Sequence, residues 1–125
     1  MEIKKFESPV SVSFHAVENG MSIGVIDASL SPSDVLINGE SIKDSWYFNR
    51  IFVKPQCRKR GIASKLMTEF ISFIRKKKIF MVCDINAYGD MDREQLSTFY
   101  QKFGFVEVPL SYHDISYSSY ILDAR

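Results

Sequence analysis

The N-terminal third of the chain has the two-residue period of apolar and polar positions that is typical of β-strands. Asn19-Gly20 interrupts this period with a dipeptide that favours a tight hairpin turn. We therefore predict an antiparallel hairpin over residues 9–30. Residues 31–43 are rich in Ser, Pro, Asp, Asn and Gly, and we expect a loop there. The alternating apolar residues before the turn are Val10, Val12, Phe14 and Ala16.

The middle of the chain predicts a strand, a helix and a second strand. Trp46–Val53 is aromatic and β-branched, and Pro55 ends it. Next comes an amphipathic segment that closes on the cations of residues 75–78, where positive charge suits a helix C-terminus. Residues 79–83 form a short apolar run, as expected for a strand buried on both faces. The apolar side of the helix consists of Ile62, Leu66, Phe70, Phe73 and Ile74.

The C-terminal part predicts a second helix and two more strands. Asp92 can cap this helix, because Gln95 three residues later completes a capping-box signature, and Gly104 offers a left-handed end. Strands are expected over residues 105–109 and 115–122. A strand–helix–strand unit implies a parallel pair, whereas the hairpins imply antiparallel ones. The predicted fold class is α/β (α+β), with a mixed central β-sheet and two main helices.

Composition and charge narrow the function classes. A chain of 125 residues suits one domain with a real core, and we assign residues 1–125 to it. The formal net charge of +1 argues against a general nucleic-acid-binding protein, which is typically strongly basic. Two cysteines indicate neither a disulfide scaffold nor a metal site. The N-terminus lacks an apolar signal segment and no apolar stretch reaches the roughly 20 residues of a membrane span, which favours a cytoplasmic protein.

The stretch from residue 58 to residue 64 carries the clearest chemical signal. It runs from a strand end through a basic, glycine-containing turn into a helix, so free backbone N–H groups meet the positive end of the helix dipole. Such a place binds phosphate. Alone, Arg58-x-x-Gly61-x-Ala63 fits an ordinary helix start with a solvated basic face equally well. The stretch lacks the Lys-Ser/Thr pair of a Walker loop and the additional glycines of a dinucleotide fingerprint.

Two separate motifs resemble those of the GNAT N-acetyltransferase superfamily. The first, which is similar to motif A of that family, is Ile51-x-Val53-x-Pro55-x-x-Arg58-x-x-Gly61-Ile62-Ala63. The second, which is similar to motif B, is Phe99-Tyr100-Gln101-Lys102-Phe103-Gly104-Phe105. The resemblance covers about half of the chain, residues 46–108, and the predicted helix and strand lie between the two motifs.

This resemblance implies transfer of an acetyl group from acetyl-coenzyme A to a primary amine. In the family, the turn wraps the pyrophosphate with backbone amides, and the preceding strand splays from its neighbour to hold the pantetheine arm. One N–H group of that strand polarises the thioester carbonyl. The cofactor-binding residues implied here are Ile51, Phe52 and Val53 in the strand, and Arg58, Lys59, Arg60, Gly61, Ile62, Ala63 and Ser64 in the turn.

The motif B tyrosine, here Tyr100, is implied to be catalytic and to protonate the departing thiolate. A phenol is protonated at neutral pH and can donate to a thiolate of comparable basicity. The alternative for Tyr100 is a core aromatic on the apolar side of the second helix, where a buried tyrosine still finds a partner for its hydroxyl.

The chain departs from the family pattern in two places. Many members carry an Asn seven residues before the motif B tyrosine and an Ala three residues after that Asn, where this chain has Arg93 and Leu96. Asn86 is our substitute for the cofactor contact, although an Asn beside a Gly-Asp turn also suits turn chemistry. The family usually has two helices that wall the acceptor site, whereas residues 1–44 have no helical pattern. This shortened acceptor region leaves the wall to residues 31–43, the C-terminal strands or a second subunit.

The general base and the acceptor stay open at this point. The candidate bases are Asp84, Glu40, His15 and Asp27, each of which also suits an ordinary surface or turn position. We assign Cys57 no role, because direct transfer is the family norm. A shallow site would favour a peptide or protein amine over a small metabolite. A homodimer also stays open.

Two other function classes compete with an enzyme. One is a GNAT-shaped module that holds acyl-coenzyme A without turnover and acts through a protein partner, which the shortened acceptor region favours. The other is a nucleic-acid binder that uses the cations of residues 58–60 and 75–78. Those two runs lie at opposite ends of one predicted helix, ~25 Å apart, so they do not form a single patch.

Overall fold

The computed structural model describes residues 1–84, 91–112 and 115–125, with the backbone alone at residues 110–112 and 115–118. Over these residues the chain forms nine strands and two α-helices. The strands are β1 (Glu2–Ser8), β2 (Ser11–Glu18), β3 (Met21–Leu30), β4 (Val35–Ile37), β5 (Glu40–Ile42), β6 (Trp46–Val53), β7 (Phe80–Cys83), β8 (Val106–Tyr112) and β9 (Ile115–Asp123). The helices are α1 (Ile62–Lys77) and α2 (Arg93–Lys102), and Pro55–Cys57 forms one 3-10 turn.

All nine strands belong to one sheet, in the order β1-β2-β3-β6-β7-β9-β8-β4-β5. β6 and β7 are parallel, as the strand–helix–strand pattern predicts, whereas every other neighbouring pair is antiparallel. The mixed sheet with two main helices confirms the predicted fold class. α2 begins at the predicted capping box, in which the Gln95 amide donates to Asp92 Oδ1 at 2.8 Å.

The N-terminal part differs from the sequence prediction in two ways. The β2–β3 hairpin turns at Asn19-Gly20 as predicted, but β1 was not expected and pairs with β2 along its whole length. The loop expected over residues 31–43 is wrong, because residues 35–42 form the hairpin β4–β5, which turns at Asn38-Gly39. β4 finds its second partner in β8, more than 70 residues later, and this pairing converts the segment into sheet.

No helix precedes α1 apart from the single 3-10 turn, and the link from β1 to β2 is only two residues long. This part of the chain, described without a gap up to residue 84, is therefore built of strands and short turns. The two helices that usually wall the acceptor side in this type of fold have no counterpart there. The structure agrees with the expected shortened acceptor region.

The main core lies between the helices and one face of the sheet. Phe70 of α1 is fully buried and meets Phe14 and Phe48 edge to face, at centroid distances of 6.5 and 5.3 Å. Phe48 also contacts Tyr100 of α2 at 5.6 Å, so one strand residue joins both helices to the sheet. Gly24 on β3 lets the first two turns of α1 approach, since a Cβ there would lie 3.3 Å from Ile62 Cγ2 and 3.2 Å from Leu66 Cδ1.

A smaller core lies on the opposite face of the sheet, which we call the outer face. Alternate residues of β7 divide between the two cores: Met81 and Cys83 belong to the main core, whereas Phe80 and Val82 belong to the smaller one. The β4–β5 hairpin covers this patch with Ile37 and Ile42. The hairpin therefore packs beside the outer side of β7.

Candidate active site

Strands β6 and β7 pair over a short distance and then separate. Their parallel register includes only Trp46↔Met81 and Tyr47↔Val82, at the start of β6. Beyond Tyr47, β6 continues for six residues along β3, whereas the described part of β7 ends its pairing there. The far half of β6 thus borders an opening, as the resemblance implies for the strand that carries the cofactor arm.

Alternate backbone N–H groups at the end of β6 point into this opening. The Lys54 N–H donates to the Ile23 carbonyl at 2.9 Å, so it points toward β3. Because backbone groups of successive strand residues point to opposite sides, the N–H groups of Ile51 and Val53 point away from β3 and toward the opening. A strand edge of this kind can bind an extended amide-containing chain.

The turn after β6 is shaped for an anion. Lys59 and Gly61 both adopt left-handed backbone conformations, with φ of 65° and 76°, and such turns gather successive N–H groups on one side. α1 starts immediately afterwards without a capping side chain at Gly61 and without an acidic residue in its first turn. α2, in contrast, has a complete capping box and Glu94 in its first turn. Since no side chain among the described residues caps α1, its first N–H groups can bond to an external acceptor.

A cavity of about 310 Å³ connects the strand edge with this turn. Nine of the residues implied by the family resemblance line it: Ile51, Phe52, Val53, Arg58, Lys59, Gly61, Ile62, Ala63 and Ser64. The opposite wall is apolar and consists of Met91, Leu96 and Phe99, and Cys57 also lines the cavity. Leu96 therefore takes part in the cavity at the position where the family commonly has Ala.

Contacts with the end of β6 help to hold Arg58 at the edge of the cavity. Its Nε donates to the Val53 carbonyl oxygen at 2.9 Å, and its guanidinium carbon lies 5.6 Å from the centroid of the Phe52 ring. These contacts connect the phosphate turn to the end of β6. The cation is half-buried and faces the cavity that the turn closes.

Arg60 points away from the cavity that Lys59 and Gly61 line, toward the end of β2. It forms a two-pronged ion pair with Glu18, the last residue of β2, with Nη2–Oε2 and Nη1–Oε1 distances of 2.6 and 3.3 Å. This hydrogen bonding lowers the pKa of Glu18 and raises that of Arg60. Arg60 is not among the residues that line the cavity. Its partner lies 42 residues away along the chain, so no local pattern indicates the pair. Asn86 lies outside the described residues.

Tyr100 is 3% exposed and does not line the cavity. Its ring packs against Phe48, Phe99 and Phe105 at centroid distances of 5.6, 6.0 and 5.7 Å. Its side chain lies close enough to the thiol of Cys83, the last residue of β7, to lower the pKa of that thiol. The tyrosine ring is thus part of the main core, to which Cys83 of β7 also belongs.

Burial raises the pKa of the Cys83 thiol from 9.0 to about 12, while the Tyr100 hydrogen bond opposes the rise and the Asp84 carboxylate adds to it. Between these two values the unfolded chain loses a proton that the folded chain keeps. We therefore expect the free energy of unfolding to fall as the pH rises above about 9. Denaturant titrations from about pH 8 to about pH 11 should show a steeper fall for the natural chain than for Cys83→Ala. Equal pH dependence of the two proteins would contradict this prediction.

Over residues 1–84, 91–112 and 115–125, no helix is both long and apolar enough to cross a membrane. Over the same residues, no three His, Cys, Asp or Glu side chains are grouped so that they could hold a metal ion.

Comparison with known structures gives the same fold. A candidate GNAT-family acetyltransferase from Desulfovibrio desulfuricans has a TM-score of 0.67 at 15% identity, over 93% of this chain and 70% of its own. A GNAT-family acetyltransferase from Brucella melitensis, in complex with acetyl-CoA, has a TM-score of 0.55 at 25% identity, over 90% of this chain and 57% of its own. The aminoglycoside N-acetyltransferase AAC(6')-Iy, in complex with CoA, has a TM-score of 0.60 at 27% identity, over 81% of this chain and 72% of its own. The chain thus spans between 57% and 72% of the length of these three structures.

Sequence comparison identifies the family. No curated protein matches the sequence. A family model described as an acetyltransferase (GNAT) domain matches residues 11–107, which include both motifs and the whole cavity lining. The chain therefore belongs to the GNAT acetyltransferase family.

Proposed function

We propose that this chain moves the acetyl group of acetyl-CoA to a primary amine by direct attack. The observation that carries the proposal is the cavity between the separated strand β6 and the uncapped N-terminus of α1. Such a cavity suits a ligand that has an anionic end and an extended, amide-containing arm. The relatives with 25% and 27% identity are complexes with acetyl-CoA and CoA, which are ligands of this kind.

The residues present fit the parts of this cosubstrate. The N–H groups of the turn, together with Arg58 and Lys59, would hold the diphosphate. The apolar wall formed by Leu96 and Phe99 would lie against the arm, whose amides would bond to β6. When bound, acetyl-CoA supplies an acyl group already activated as a thioester. Contacts from Arg60 and Asn86 stay predictions.

The chain itself would contribute two groups to the transfer. A β6 N–H group that faces the opening, that of Val53, would stabilise the negative charge that develops on the carbonyl oxygen. Tyr100 would donate a proton to the departing thiolate, because it lies in the main core beside Cys83, at the end of β7 and close to where the strands separate. The backbone donor does not depend on the side chain at its position, whereas the proton donor does.

The second candidate function is a non-catalytic module that holds acyl-CoA and acts through a protein partner. The observation in its favour is the strand-only architecture before α1, which leaves no helical wall on the acceptor side. Both functions need the same cofactor site. They differ only in what happens after binding.

Two measurements on the natural chain separate these functions. Calorimetry with acetyl-CoA tests binding, and release of free thiol tests turnover over a panel of alkylamines, aminoglycosides and lysine-containing peptides. The enzyme is expected to bind acetyl-CoA and to release thiol with at least one acceptor. Binding without thiol release above the hydrolysis background would favour the module. Absence of binding would overturn both.

A further inference from the structure

A polar cluster at the end of β7 belongs to no function described so far. The Tyr47 hydroxyl donates to Asp84 Oδ2 at 2.8 Å. The fully buried Ser119 hydroxyl shares its proton between Asp84 Oδ1, at 2.8 Å, and the Cys83 carbonyl oxygen, at 2.7 Å. Both carboxylate oxygens are therefore held in place from two neighbouring strands. A carboxylate with this much support has a fixed orientation.

This cluster faces the outer side of the sheet. Trp46 and Phe48 are buried and pack against Phe73 and Phe70 of α1, so Tyr47 between them points to the opposite face. Tyr47 is accordingly exposed, and Asp84 is half-buried. The β4–β5 hairpin packs on the same face beside β7. The carboxylate is thus accessible from the face that has no helices.

Asp84 and Tyr100 lie on opposite sides of one point in the sheet. Tyr100 and Cys83 both belong to the main core on the helical face, and Asp84 is the next residue along the chain. Successive residues point to opposite faces, so a thioester at the separation of β6 and β7 would have the phenol on one side and the carboxylate on the other. Attack by an amine and departure of a thiolate also need two different sides of the carbonyl carbon.

The other candidate bases are engaged elsewhere. Asp27 forms an ion pair with Arg50 at 2.8 Å. His15 contacts the Ser22 hydroxyl through Nδ1 at 3.1 Å, far along β2 from the separation of β6 and β7. Glu40 lies on β5, the last strand at one edge of the sheet. Among the residues that the structure describes, no Lys or Arg forms an ion pair with Asp84, so its charge is available to a cation from outside.

We infer that Asp84 binds the ammonium group of the acceptor and accepts its proton, with Tyr47 and Ser119 as positioning residues. This inference rests on the proposed acetyl transfer. A primary ammonium loses two protons when it becomes an amide. The nitrogen attacks the carbonyl carbon and the C–S bond breaks. The two protons of the ammonium group leave through Asp84. One of them replaces the proton that Tyr100 gives to sulfur, and the other is released to solvent. The expected substrate class is a protonated alkylamine that approaches across the outer face.

The test compares Asp84→Asn with Asp27→Asn, a carboxylate of the same face that is already paired with Arg50. The affinity for acetyl-CoA should stay within about twofold for both, since neither residue lines the cavity. Turnover of Asp84→Asn with an alkylamine should fall about tenfold at neutral pH, because solvent replaces the base only in part. Asp27→Asn should keep the natural rate. Tyr47→Phe should show a smaller loss than Asp84→Asn.

A structural role for Asp84 would not change how the rate depends on pH. Without a base, the rate should follow the fraction of free amine in solution and rise about tenfold per pH unit below the amine pKa. The loss in Asp84→Asn should also shrink for acceptors of lower basicity. Equal rates and equal pH profiles for Asp84→Asn and Asp27→Asn, beside an active natural chain, would overturn the inference alone. A natural chain that binds acetyl-CoA but acetylates nothing would overturn the proposed function instead.

Discussion

Replacement of Tyr100 by phenylalanine is expected to lower the turnover of acetyl transfer about 100-fold and to leave the affinity for acetyl-CoA nearly unchanged. The ring packs among three phenylalanines, so the variant keeps the shape of the core. Only the hydroxyl is lost, and with it the group that would protonate the thiolate. Steady-state thiol release gives the turnover, and calorimetry gives the affinity.

Tyr120→Phe is the matched control for this experiment. Tyr120 is also a buried tyrosine, lies opposite Cys83 on β9, and forms a hydrogen bond with Ser97 through its hydroxyl. Each variant loses one buried hydroxyl together with its hydrogen bonding, which costs about 1 kcal/mol of stability. Only Tyr100→Phe should lose turnover. Equal turnover of the two variants would leave Tyr100 as a core aromatic, the alternative that its 3% exposure supports.

Elements specified by neighbouring residues were predictable from the sequence. The apolar stripe of α1, the Asp92–Gln95 capping box and the Asn19-Gly20 turn each depend on residues within a few positions of one another. The β4–β5 hairpin was missed although its turn, Asn38-Gly39, has the same signal. Its strands are three residues long, and such short strands form because β8 supplies a partner. No local pattern contains that partner.

In the candidate site, too, features set by nearby residues were predictable, whereas features set by distant residues were not. Nine lining residues could be named in advance because they are nearly contiguous, from the end of β6 into the first turn of α1. The interactions that decide the role of a side chain were not predictable, because they join distant parts of the chain. Arg60 pairs with Glu18 across 42 residues, and Asp84 bonds to Ser119 across 35. Both depend on the order of the strands, which the sequence left open.

Replacement of Ser64 by aspartate should weaken binding of acetyl-CoA by about 10- to 100-fold. Ser64 lines the cavity and is the third residue of α1, so the new carboxylate would stand where the diphosphate is proposed to bind. The same carboxylate suits the positive end of the helix dipole and should stabilise the fold by about 0.3–1 kcal/mol. Calorimetry with acetyl-CoA and thermal unfolding of the free chain measure the two effects.

Opposite signs of these two effects make the experiment decisive. Loss of binding through damage to the fold would lower the unfolding temperature, whereas Ser64→Asp should keep or raise it. Ser64→Asn has almost the same shape without the charge, so it should bind acetyl-CoA much more tightly than Ser64→Asp. The difference between the two variants should also shrink as salt is added, because screening weakens charge repulsion. Similar affinity of Ser64→Asp and Ser64→Asn would mean that the diphosphate does not bind at this turn, and the proposed cofactor site would be wrong.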